Sequence, residues 1–139
     1  MTEARDGKKG YLELSTDILA RRKGLVRRSK YTIEAQQRGI EHRGDYRDTA
    51  RRALAYYDVP VSEKNIDRVA KELEKVFKKG LAAWQTGGHR PGASQAAWAY
   101  ARVASVLVGG KAAFTADKGN VSRFPAKLKE GIRVQRTYK

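Results

Sequence analysis

The sequence predicts a mainly α-helical protein, a small single helical domain with extended basic segments at its N- and C-terminal ends. Three observations carry that prediction. Apolar residues recur on a 3.6-residue period through the middle of the chain, Ser and Asp stand where helix N-caps belong, and glycines fall where the periodic stretches stop. A chain of 139 residues is long enough for one core and too short for two full-sized ones.

The most regular helix is predicted over 62–79. Ile66, Val69, Ala70, Leu73, Val76 and Phe77 form one apolar stripe, Ser62 is placed to cap it, and Pro60 keeps the entering chain extended. The opposite face carries Lys64, Arg68, Lys71, Glu72, Lys75 and Lys78. Gly80 either ends this helix or is passed through, extending it to Trp84. A second strong helix is predicted over 95–108, from an N-cap at Ser94 to a stop at Gly109-Gly110. Trp98, Ala101, Val103, Ala104, Leu107 and Val108 make it apolar almost all round, which predicts a central buried helix with Trp98 in the core. Arg102 is its one charge.

Upstream, Asp45 can cap a helix over 46–57, and further helices are predicted over 33–42 and 17–23. Beyond Gly110 the periodicity fades. Residues 111–119 read as a loop or one turn. Residues 121–139, with Pro125 and the alternation Ile132-Arg133-Val134-Gln135-Arg136, read as an extended arm that can end in one strand. The resulting plan is a basic N-terminal arm with a short helix over 1–30, a helical domain over 31–110 and an extended basic C-terminal arm over 111–139.

Charge points to the partner. With 30 Lys+Arg against 15 Asp+Glu the net charge is +15, and the pI is about 10.3. So large an excess on so small a body calls for an anionic partner, of which nucleic acid is the commonest; anionic membranes and acidic protein surfaces are the others. The densest run, 21–30, holds six basic groups and no acid, and 111–139 holds 8 basic and 2 acidic groups. The candidate phosphate contacts are therefore Arg21, Arg22, Lys23, Arg27, Arg28 and Lys30, with Arg123, Lys127, Lys129, Arg133 and Arg136 from the other end.

The same composition excludes much chemistry. With no cysteine there is no disulfide framework, thiolate metal site or cysteine nucleophile, and two histidines are too few for an imidazole-rich metal site. No apolar run reaches the roughly 18 residues that span a bilayer. The opening MTEARDGKKG has no apolar core of the kind a secretory signal needs. The expectation is a protein without cofactor, metal or membrane partner, located inside a cell or a particle.

No catalytic constellation emerges, so the chain reads as a non-enzyme. Gly109-Gly110-Lys111 superficially resembles a phosphate loop, but it follows a helix instead of a strand and lacks the first glycine and the Ser/Thr. A helix-turn-helix, formed by 33–42 and 46–57 about Gly44, would place Arg47, Arg51 and Arg52 on a recognition helix. That helix lacks the Asn or Gln groups that often read adenine. The glycine-rich bend 87–94 leads straight into a capped helix. There His89 and Arg90 either flank an anion at the helix N-terminus or lock the bend by bonding carbonyls or an acid. The flanking Trp84, Trp98 and Tyr100 read as core packing more than as a base-stacking platform.

The stretch from Phe77 to Lys111 carries a resemblance. Gly88–Ala93 spell G-H-R-P-G-A, Trp98 and Tyr100–Val103 spell W-x-Y-A-R-V, and Ser105 and Gly110-Lys111 follow. This string resembles a segment recurring in an uncharacterised protein family of tailed bacteriophages and large DNA viruses. The resemblance covers about a quarter of the chain and assigns no catalytic residue. It implies a virion component: a capsid-internal, capsid-stabilising or neck protein, multimeric in an assembly, made in the host cytoplasm. Such a protein would contact other virion proteins and packaged DNA through its basic arms. The alternative is a nonspecific or regulatory DNA-binding protein acting in the host cell outside the particle.

Overall fold

The structure, a computed structural model, describes residues 29–86 and 94–139. The expected helix over 17–23, the basic run up to Arg28 and the bend with His89 and Arg90 lie outside the described residues. The protein is mainly α, with seven helices and no strand among those residues. In chain order they are α1 (Lys30–Arg38), α2 (Tyr46–Tyr56), α3 (Glu63–Gln85), α4 (Gln95–Leu107), α5 (Lys111–Phe114), α6 (Lys118–Val121) and α7 (Ala126–Val134).

Local chemistry sets the boundaries. Ser29, Asp45, Ser62 and Ser94 each accept hydrogen bonds from backbone amides of the first turn they cap, which satisfies donors that a helix start otherwise leaves bare. α1 ends at Arg38, earlier than the predicted 42, because the chain turns left-handed at Gly39 and its amide closes back on Ala35 and Gln36. α3 runs through Gly80 to Gln85. A Cβ at Gly80 would lie 2.8 Å from the Ala99 Cα, so the missing side chain lets α3 and α4 cross in direct contact.

α3 is the axis of the fold. Its buried stripe of Ile66, Val69, Ala70, Leu73 and Val76 faces α2 on one side and α4 on the other. Each large aliphatic side chain fully buried there contributes about 1.5–3 kcal/mol. α1 lies against α4, and α5 follows on the same helix. α4 buries Ala99, Val103, Ala104, Val106 and Leu107, as a central helix should. Trp98, however, is half-buried and stands outside the core cluster, contrary to its expected place.

The C-terminal segment departs most from expectation. Instead of an extended arm over 111–139, the chain forms α5, α6 and α7 and folds onto the domain. Phe124, in the bend before α7, and Leu128 and Ile132, one turn apart on α7, are 1%, 0% and 1% exposed. Pro125 is the N-cap of α7, with extended backbone, and its carbonyl accepts from the Leu128 and Lys129 amides. The alternating Ile132 to Arg136 stretch forms no strand. Ile132 is core, Val134 points outward at 64% exposure, and the chain end is held by Thr137 and Tyr138 amides donating to Val108 and Gly109 carbonyls.

Phe124 therefore tests the corrected architecture. Phe124→Ala is expected to lower stability by about 3–5 kcal/mol in urea denaturation, the usual cost of emptying a fully buried aromatic site. An extended arm would show no change.

Candidate nucleic-acid interface

α3 carries two faces set by the helix period. Opposite its buried stripe, Lys64, Arg68, Lys71, Lys75, Lys78 and Lys79 are all exposed and fall on one arc of the helix. From Lys64 to Lys79 that ridge rises about 22 Å at 1.5 Å per residue. This matches the axial rise of about six base pairs of duplex. The acids of α3 stand off the arc. Glu63 and Asp67 turn toward α2, where both pair with Arg47.

The ridge is not uniformly available. Lys64 and Lys71 have no acid partner among the described residues, and Arg68 donates to the Arg123 carbonyl at 3.1 Å. Lys78 meets Glu74 at 3.2 Å in an exposed pair, an interaction worth at most about 0.5 kcal/mol and easily given up. Lys75 lies 3.4 Å from Glu72, whose side chain is buried while the lysine stays half-exposed. Lys79 is committed to the interior, with Asp117 and Asn120 oxygens each 2.6 Å from its Nζ.

That interior is a polar network joining three elements. Asp117, fully buried between α5 and α6, receives Arg102 Nε at 2.7 Å and Arg102 Nη2 at 3.0 Å from α4, with Lys79 from α3. Asn120 on α6 donates to Glu72 at 2.9 Å, and Arg123 Nη1 stands 3.5 Å from the same carboxylate oxygen. Buried carboxylates need such partners, because an unpaired one would cost several kcal/mol. Arg102, the single charge expected in its helix, is thus a structural group.

Structure also explains the Gly110-Lys111 pair. A Cβ on Gly110 would lie 2.6 Å from both Ser105 Oγ and Tyr31 Cε1, so the residue is small because two side chains crowd it. Ser105 Oγ accepts the Ala112 amide at 3.0 Å and Tyr31 Oη accepts the Lys111 amide at 3.2 Å. The amides after the glycines are therefore occupied by the protein itself.

The two helices of the helix-turn-helix alternative pack on different partners. α1 packs on α4 and α2 on α3, and two of the three proposed reading arginines are spent internally. Arg47 holds Glu63 and Asp67, while Arg52 binds Asp48 and the carbonyls of Gly39 and Glu41. Among the other predicted contacts, Lys30 opens α1 with its ammonium 5.2 Å from the Tyr31 ring. Lys127 and Arg136 are exposed, Lys129 donates to the Ser122 carbonyl at 3.2 Å, and Arg133 is paired with Glu130. Arg123 alone of that group joins the α3 ridge. Arg21, Arg22, Lys23, Arg27, Arg28, His89 and Arg90 lie outside the described residues. The ridge was readable in the sequence as bases at i, i+4, i+7, i+11 and i+14, but residue density along the chain pointed to the ends instead.

The model of a family of unknown function, DUF5824, matches residues 8–122. The chain belongs to that family. No curated protein and no solved structure matches it. The DUF5824 match takes in α1 to α6 and the polar network as far as Asn120, and stops before Arg123, Phe124 and α7. Among the described residues of this DUF5824 chain, no group of three or more His, Asp or Glu side chains could hold a metal ion. None of their helices is long and apolar enough to cross a membrane.

His42 lies within an aromatic cluster on the other side of α3. Its ring stacks on Tyr46 at 4.6 Å, lies 5.4 Å from Tyr100 and 5.9 Å from Phe77, and its Nδ1 meets Thr49 Oγ1 at 2.7 Å. Burial holds its pKa below the ordinary value; Arg52 pushes the same way and Asp45 opposes.

Two outcomes follow from these interiors. Asp117→Asn leaves Arg102 and Lys79 without their counter-charge and is expected to destabilise by about 3 kcal/mol in chemical denaturation. For His42, the unfolded chain takes its proton near about pH 6.5 while the folded ring takes it only at lower pH. Stability therefore falls on acidification through that window. The thermal midpoint is expected to drop between about pH 7.5 and about pH 5.5, and His42→Gln to flatten that dependence.

Proposed function

We propose that the protein is a DNA-facing structural protein of a tailed-phage-type particle. It grips phosphates through the exposed basic ridge of α3 and contacts neighbouring virion subunits with its remaining surface. The observation that carries this reading is the ridge itself: five exposed bases, Lys64, Arg68, Lys71, Lys75 and Lys78, on one arc of one helix with no acid on that arc, in a protein of net charge +15. Lysines projecting from a rigid helix suit phosphate contact, while base reading needs forked donors aimed into a groove. The resemblance of the Phe77–Lys111 stretch to phage and large-virus proteins supplies the particle.

Binding is expected to be independent of DNA sequence and steeply salt-dependent. About five phosphate contacts from Lys64, Arg68, Lys71, Lys75 and Lys78 give a slope of roughly −4 to −5 in log K against log salt. Lys64→Glu with Lys71→Glu should weaken duplex binding more than about tenfold, lessen that slope by about 2, and leave the thermal midpoint in place. Fluorescence anisotropy across a salt series checks both. Quantitative mass spectrometry of purified particles tests the virion role, with a fixed ratio to the major capsid protein expected. Absence from particles with DNA binding intact would move the protein to the host cell, as a nonspecific DNA-binding protein acting there.

A further inference from the structure

Beside the ridge, α3 and the turn between α6 and α7 enclose an open groove of about 490 Å³ lined by Asp67, Arg68, Lys71, Glu72, Ser122 and Arg123. Its two acids are already matched. Asp67 binds Arg47, and the buried Glu72 is shared by Asn120, Lys75 and Arg123. Its bases keep most of their donors. Arg68 Nη2 donates to the Arg123 carbonyl at 3.1 Å, and Arg123 Nη1 donates to the Gly119 carbonyl at 3.1 Å. Each guanidinium is thereby pinned to the backbone by one nitrogen while its other nitrogens have no partner among the described residues. Lys71 has none among those residues either.

We propose that this groove is a phosphate seat, in which Arg68 and Arg123 bind the non-bridging oxygens of a phosphate and Lys71 adds its charge. The proposal rests on the reading of the protein as a phosphate binder and deepens it by separating one built site from the general ridge. Two features set the seat apart. A planar guanidinium held at one edge has lost much of its freedom before the anion arrives, so less ordering is required on binding. Its open edge then presents paired donors in the geometry that a phosphate accepts. A phosphodiester of nucleic acid and a free polyphosphate offer the same oxygens.

The test uses the full chain, labelled with 15N, a 20-base-pair duplex and inorganic tripolyphosphate. Arg68→Lys and Arg123→Lys keep the net charge but lose the fork, and each is expected to weaken duplex binding by about tenfold. Arg43→Lys, an exposed residue between α1 and α2 that lies on neither the ridge nor the groove, should bind as the parent does. In the parent protein the Arg68 and Arg123 Nε resonances should shift saturably with both probes. This readout stands even where a lysine variant lowers the thermal midpoint.

Full-strength duplex binding by both folded lysine variants, with the Lys64→Glu, Lys71→Glu loss intact, would overturn the seat and leave the ridge standing. Nε shifts with tripolyphosphate but no duplex binding would overturn the DNA reading and assign the seat to free polyphosphate. No shift with either probe overturns the seat outright.

Discussion

Asp117 is the constraint on which the rest of the arrangement depends. A carboxylate with no exposure is tolerated only where opposite charges and donors surround it, and here they come from α4 through Arg102 and from α3 through Lys79. The α5–α6 turn must therefore sit where both cations reach it. Glu72, two turns before Lys79 on α3, repeats the device through Asn120 and Arg123. Together the two acids bring the C-terminal helices against one flank of α3. On the other flank α2 packs through its buried Ala50, Ala53 and Leu54, with Arg47 bridging to Glu63 and Asp67 at the surface. What is left uncovered between the flanks is the basic arc.

Charge bookkeeping explains why that arc has to face outward. The chain has 15 acids for 30 bases, so even complete one-to-one pairing would leave half the bases without a carboxylate. The fold directs part of its acid to interior and inter-helix work: Glu63 and Asp67 on Arg47, Glu72 and Asp117 in the buried network. Each acid used to join helices is one fewer to neutralise the surface. The excess positive charge is displaced onto the exposed side of the longest helix, where self-repulsion favours any polyanion that brings counter-charge.

Much of the fold was legible where local rules decide. Ser62, Asp45 and Ser94 cap the helices they were expected to cap, because a side-chain oxygen beside bare amides needs no tertiary context. The C-terminal segment reads ambiguously because two periods compete there. Ile132, Val134 and the intervening bases alternate like a strand, yet Phe124, Leu128 and Ile132 repeat like a helix face, and packing against the Tyr57 and Gly109 region favoured the second. Gly131 marks that choice: a Cβ there would lie 2.7 Å from the Tyr57 ring. The place of Trp98 is hidden for a related reason. The all-round apolar character of its helix did not say which side α3 would cover. The Arg102–Asp117 pair joins residues fifteen positions apart across a turn, and no periodicity announces it.

The site was half legible for a reason with energetic content. Density of charge along the chain drew attention to the ends, whereas density in space belongs to α3, whose bases are interleaved with apolar residues and so look diluted in one dimension. A helix converts that dilution into concentration, since every third or fourth residue returns to the same line. It also changes the cost of binding. An arm must lose backbone freedom to follow a phosphate chain, at about 1–2 kcal/mol per residue fixed. A ridge on a packed helix has lost that freedom on folding and gives up only side-chain rotamers when it binds. With Lys64 and Lys71 free of acid partners among the described residues and Arg68 and Arg123 pinned at one edge, the surface proposed to grip phosphate has its backbone ordered before any ligand arrives.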